Sequence, residues 1–290
     1  MHVLSLGRSL LLVTLLAGGL ATAVSAQDEM PEGVSLVVFA NGIAADVPQE
    51  ADQILLVKLT MSAESTLPFA PEADTISLLA VREGELHGKL DTSIELGRAN
   101  AEPGQTEEAA AGTDFTLATG DSALIPADVA GEITPGAAGA TALMLMAAPA
   151  ASDDGDAHVA PEGVTYTPLA AGDTPELHEG ALFWLGQFTL QPGASFPGQA
   201  QPGAELGAGI AGEFTMKTTG GPGSIVLRDF SNSVMAGKEP EIADETAGDT
   251  VTFGAGDAVY FPDGNTVDIS NAGSTEAITL FGGVGTLPAE

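Results

Sequence analysis

Two stretches of this chain decide how it folds: GASFPGQAQPGAELGAGIAG over 193–212 and GDAVYFPDGNTVDISN over 256–271. In both, Gly, Pro and Asp return every few residues, so no apolar run is long enough to carry a helical stripe through three turns. Short runs between turn formers predict antiparallel strands instead. Working outward, Ile54 to Met61, Leu182 to Leu190, Ser224 to Leu227, Ala258 to Phe261 and Ala277 to Phe281 are of the same kind. The expected class is all-β, a sandwich or barrel with few long helices. Ala99 to Thr113 and Ser231 to Asp249 are polar and acidic, and are expected to form long loops.

The chain repeats itself. Pro31-Glu32-Gly33-Val34-Ser35 recurs as Pro161-Glu162-Gly163-Val164-Thr165, and the run Thr119-Gly120-Asp121-Ser122-Ala123-Leu124-Ile125-Pro126 recurs as Ala255-Gly256-Asp257-Ala258-Val259-Tyr260-Phe261-Pro262. Two similar units in tandem follow. Between them Ser152-Asp153-Asp154-Gly155-Asp156 lacks apolar periodicity, which sets residues 151–160 as an acidic linker.

Residues 1–26 have the pattern of a secretory signal: Arg8, an apolar stretch from Leu10 to Leu20, and Val24-Ser25-Ala26 as a small-residue cleavage site. The apolar stretch is short for a membrane anchor. The expected location is extracytoplasmic, secreted or periplasmic, after cleavage near Ala26. A formal net charge of −32 argues against nucleic acid and anionic membrane surfaces as partners, since both are held by Lys and Arg. With no Cys, neither disulfides nor thiolate chemistry is available. Gly-x-Ser-x-Gly and the P-loop pattern are also absent.

The spacing Gly193-x5-Gln199-x-Gln201-x3-Glu205-x6-Gly212, followed by Gly256-x5-Pro262-x-Gly264-x2-Val267-x3-Asn271, resembles the two motifs of the cupin superfamily. Those motifs are G-x5-H-x-H-x3-E-x6-G and G-x5-P-x-G-x2-H-x3-N, and every gap is kept. With the repeat, the resemblance implies a bicupin: two tandem jelly-roll β-barrels, a degenerate first domain over 31–150 and a second over 161–290. Metal-binding cupins hold iron, manganese, nickel or zinc with the three histidines and the glutamate. Here those positions are Gln199, Gln201, Val267 and Glu205. An amide oxygen is a poor ligand for such ions and an isopropyl group is none. The expectation is no metal, no cofactor and no assigned catalytic residue. In the first half, Glu64, Ala70, Glu72 and Ser77 fall at the first-motif positions, while Asp128, Gly131 and Pro135 fall at the Gly, His and Asn of the second. His87, His158 and His178 lie outside the motifs, each read as a surface histidine.

The functional expectation is an exported, metal-free bicupin that binds a small polar organic ligand or sugar through Gln199, Gln201 and Glu205, or serves a structural and interaction role. Association of copies through sheet edges belongs to the second version. The alternative is a cupin enzyme, like metal-free sugar isomerases and epimerases or like oxalate decarboxylase, with Glu205 as the acting group.

Overall fold

The computed structural model of the chain describes residues 30–70, 74–101, 105–149, 160–175, 177, 180–198, 200, 203–244 and 250–286. The expected leader, all of the expected linker except Ala160, and Glu72, His158 and His178 lie outside them. The first half forms β1 (Val34–Ala44), β2 (Gln53–Met61), β3 (Leu67–Phe69), β4 (Ile76–Leu90), β5 (Ile94–Gly97), β6 (Thr106–Ala109), β7 (Asp114–Ala118), β8 (Ser122–Ile125) and β9 (Gly131–Ala148). The second forms β10 (Val164–Asp173), β11 (Ala181–Leu190), β12 (Ser195–Phe196), β13 (Gly203–Ala211), β14 (Glu213–Gly220), β15 (Ile225–Arg228), α1 (Phe230–Met235), β16 (Glu241–Asp244), β17 (Thr250–Gly254), β18 (Ala258–Phe261), β19 (Thr266–Ser270) and β20 (Ala277–Thr286). Among the described residues no helix is long and apolar enough to cross a membrane.

The strand order is that of two jelly rolls, as the sequence led one to expect. In the second, one sheet runs β11-β20-β13-β18 and faces another ordered β12-β19-β14-β17. In the first, β2-β9-β4-β8 matches the former sheet, while β3 and β7 pair with the far parts of β9 and β4 to make the latter. The two long strands bend from one sheet to the other at register shifts, Val81/Glu83 and Gly84/Leu86. The stretches expected as long loops instead contain strands: Thr106–Ala109 pairs with β5, and Glu241–Asp244 pairs with β15 after the short helix α1. Alternation of apolar and polar residues over four positions is too short a signal to separate such strands from loop.

The outer strands are exchanged. β1, from the first half, pairs with β11, and β10, from the second, pairs with β2. Each pairing carries a bulge at the same place, Val38/Ala40 and Pro168/Ala170. Three cores result. Leu59, Leu79, Leu86, Phe115 and Ile133 fill the first barrel; Trp184, Phe188, Phe214, Phe253 and Phe281 fill the second. The third lies between the barrels, where alternate residues of the same strands, such as Ile54, Leu56, Leu78 and Phe183, Leu185, Leu206, pack together. Two-residue periodicity thus serves two cores per strand. Each such side chain contributes roughly 1.5–3 kcal/mol by leaving water.

The motif glycines prove to be turn positions. Gly193, Gly212, Gly256 and Gly264 have φ of 79°, 65°, 90° and 72°, where a Cβ is disfavoured. The first barrel keeps the same conformations at Glu64 (69°), Gly84 (77°), Gly120 (90°) and Asp128 (58°). Arg228 donates to Asp257 at 2.6 Å as Arg98 does to Asp121 at 2.9 Å. Each aspartate also accepts two backbone N–H groups: Asp257 those of Asp229 and Gly254, Asp121 those of Ala99 and Ala118.

Candidate functional site

Glu205 stands on β13, where the ladder sets Asn41, Trp184, Gly283, Glu205 and Phe261 side by side on five neighbouring strands. Residues directly opposite in a sheet share a face, and Trp184 and Phe261 belong to the interior of the second barrel. Gly283 is what joins Trp184 to Glu205. With no side chain between them, the indole crosses the glycine, and a Cβ there would lie 2.3 Å from Trp184 Cζ2. The indole Nε1–H then donates to Glu205 Oε2 at 3.1 Å.

One step toward the barrel end lies the row Ile43, Leu182, Gly285 and Gly203. Two glycines of this rim, Gly285 and Gly203, contribute no side chain above Glu205, which is only partly buried while Trp184 is 3% exposed. One step inward, Val38, Gly186, Phe281, Gly207 and Val259 form the next row, with the Phe281 ring lying over Gly186. Large and small residues alternate from row to row, and that closes the barrel beneath the glutamate. Burial pushes the Glu205 carboxyl up to about 7, against the opposing pull of the Trp184 hydrogen bond. At neutral pH it therefore exists in both protonation states.

Beside Phe261 the row continues to Ser224, which by the register of β15 on β18 precedes Ile225. Asn265, 0% exposed in the turn before β19, donates through Nδ2 to Pro222 O at 2.6 Å and to Ser224 Oγ at 3.4 Å. Its Oδ1 has no hydrogen-bond partner among the described residues.

Of the sequence candidates, Glu205 is placed at this end of the barrel. Gln199 and Gln201 lie outside the described residues, on either side of Ala200, which bridges to Thr266. Val267 is 2% exposed and packed with the phenylalanines. Asn271 is structural: it is 1% exposed, donates to Leu190 O and Thr275 O at 2.9 and 2.8 Å, and accepts from Gly273 N at 2.9 Å. Trp184, Asn41 and Asn265 escaped the sequence reading. Trp184 had a signal, as the sole tryptophan of the chain on the inward face of an alternating strand. Asn41 had none, because only the exchange of β1 brings it here.

The donor set does not fit a transition metal. Among the described residues the motif positions supply one carboxylate, already engaged by an indole N–H, and the hydrocarbon of Val267. No group of three or more His, Cys, Asp or Glu among the described residues is disposed to hold an ion. In the first barrel the matching row is Ala171, Leu55, Met146, Ser77 and Ile125, with Ser77 at the place of Glu205. His87 is exposed on β4, 3.1 Å from Thr116 Oγ1 and 3.3 Å from Glu85 Oε1.

No family model matches the chain, and no curated protein does. Solved structures of oxalate decarboxylase are similar to it. One bearing on substrate binding and reaction specificity is 12% identical with a TM-score of 0.46, covering 83% of this chain and 70% of that one. A serine-to-alanine variant of the Bacillus subtilis enzyme is 11% identical with a TM-score of 0.45, covering 88% and 77%. A deletion variant from the same organism is 12% identical with a TM-score of 0.46, covering 89% and 79%.

Proposed function

We propose that the chain is an exported bicupin whose second barrel binds a small polar organic ligand at Glu205, while the first barrel is a structural partner that lends it β1. One observation carries the reading: a carboxyl group sits one row below a glycine rim, beside the aromatic residues of the barrel interior, held by the only tryptophan. A carboxyl drawn partly out of water with no function would be costly to retain, and the first barrel has a serine at the same place. Apolar walls with a few oriented polar groups are the usual make-up of a small-molecule site. Gln199 and Gln201, the remaining motif positions, belong to the same proposal.

The native reporter makes the test direct. Ligand-observed NMR of a polar fragment and sugar library, followed by Trp184 fluorescence, should find binders that Glu205→Ala abolishes in a folded protein. Binders indifferent to Glu205, or none at all, would remove the site. A second reading is favoured by the carboxyl near 7, a value suited to a general base. Turnover of a sugar or oxalate that disappears in Glu205→Gln would establish it. Export is tested by the mass of the chain from the native host, which should begin at Gln27. The end strands of the two long sheets, β1 and β16, β10 and β6, are the places for association of copies, tested by light scattering.

A further inference from the structure

We infer that the ligand of the second barrel carries a cationic amine, its charge seated on the Glu205 carboxylate and its hydrocarbon part against Trp184 and Phe261. This rests on Glu205 being the binding site, and adds the ligand's charge and shape.

The first ground is charge. Of the eight Lys and Arg in the chain, Arg8 belongs to the leader and the other seven are among the described residues. None is in the second interior. Arg98 and Arg228 are tied to Asp121 and Asp257, Arg82 lies over the Phe39 ring, and Lys58, Lys89, Lys217 and Lys238 are exposed. An anion at Glu205 would meet like charge with no counter-ion beside it, which disfavours dicarboxylates such as oxalate. A cation meets one carboxylate in a poorly solvated place, where the attraction is screened least.

The second ground is independent. Asn265 Oδ1 is an acceptor removed from water without a donor among the described residues, at the Ser224 end of the same row. Leaving such a group unpaired costs about 1–3 kcal/mol. An acceptor left unpaired near one end of the row favours a ligand that brings donors over one that brings further acceptors, and an ammonium group carries up to three. Third, aromatic faces attract cations and accept apolar bodies alike, and the walls here are Trp184 and Phe261. The net charge of −32 raises the concentration of small cations at the surface, and so at the rim.

The pH dependence is part of the inference. The side chains facing Glu205 from β11 and β18 are Trp184 and Phe261, with none from Gly283 on β20; the opposite sheet contributes Phe214, Met216, Phe253 and Val267. None of these titrates, so the amine affinity should follow Glu205 alone. It rises about tenfold from pH 6 to pH 8 as the carboxyl ionises.

Three isosteric probes decide the matter: cyclohexylmethylamine, cyclohexylmethanol and cyclohexanecarboxylate, titrated against Trp184 fluorescence and saturation-transfer NMR at pH 8 and moderate salt. The amine should bind at least about tenfold more tightly than the alcohol, and the carboxylate not at all. Glu205→Gln, an isosteric change with folding checked by circular dichroism, should reduce the amine's advantage to about twofold or less. Should that variant not fold, the wild-type chain keeps the inference testable: amine binding should strengthen from pH 6 to pH 8 while alcohol binding stays flat, and equal pH responses of the two would overturn it. Alcohol binding as tight as the amine, with both lost in Glu205→Ala, would overturn the cationic inference and leave the binding site standing. No binding of any probe, or amine binding unchanged in Glu205→Gln, would overturn both.

Discussion

The two barrels share strand order, several turn conformations and exchanged edges, yet the row that carries Glu205 differs at every position. Where the first has Ala171, Leu55, Met146, Ser77 and Ile125, the second has Asn41, Trp184, Gly283, Glu205 and Phe261. In the first set Met146 and Ile125 join the first-barrel core, with the small Ser77 between them. In the second, one residue reduced to glycine lets a tryptophan reach across a strand and hold a carboxylate. In this row the pair diverges in side-chain volume at matched backbone positions, where packing density makes even one methylene felt.

The largest expected effect tests whether the turns are the shared part. Asn271→Ala removes three hydrogen bonds that fasten the β19–β20 turn to Leu190, and should cost about 3 kcal/mol in urea unfolding. The first barrel has no such pin, because β9 runs from Gly131 to Ala148 without a break. Next, Gly283→Met copies the first-barrel residue into the second row. Its side chain displaces the indole, with an expected loss of about 1–3 kcal/mol and a shift of tryptophan emission. Adding Trp184→Leu should recover part of that loss, since the two changes share one volume, the remainder being the approach of the new Cβ to Ala204 O at 2.8 Å.

A smaller effect distinguishes the rows by pH. The Glu205 carboxyl is raised from 4.5 to about 7 in the folded chain, so the native state holds a proton that the unfolded state has released. Its contribution is fully present below about 4.5 and is lost as pH rises through about 7, by on the order of 1–2 kcal/mol given its partial exposure. Denaturant midpoints of the wild type minus those of Glu205→Gln should show this slope, and Ser77 variants should not. Smallest is the relief of backbone strain: Glu64→Gly, at φ 69° where the second barrel has Gly193, should gain about 0.5–1 kcal/mol in thermal unfolding.

By itself, the sequence determined the turns and therefore the fold. Gly193, Gly212, Gly256 and Gly264 are readable at a distance because positive φ excludes most side chains, and the spacing between such turns fixes strand length. Alternating strands such as Ala181–Leu190 were legible for the same local reason, whereas Thr106–Ala109 and Glu241–Asp244 were too short to stand out. Glu205 was visible as the one carboxylate among the motif positions of the second half. Only the tertiary structure decided what surrounds it. Trp184, 21 positions away in the chain, reaches it across Gly283 through cross-strand register, and Asn41, 164 positions away, joins the row beside Trp184 through strand exchange. Those depend on pairing between distant segments, which no local pattern encodes.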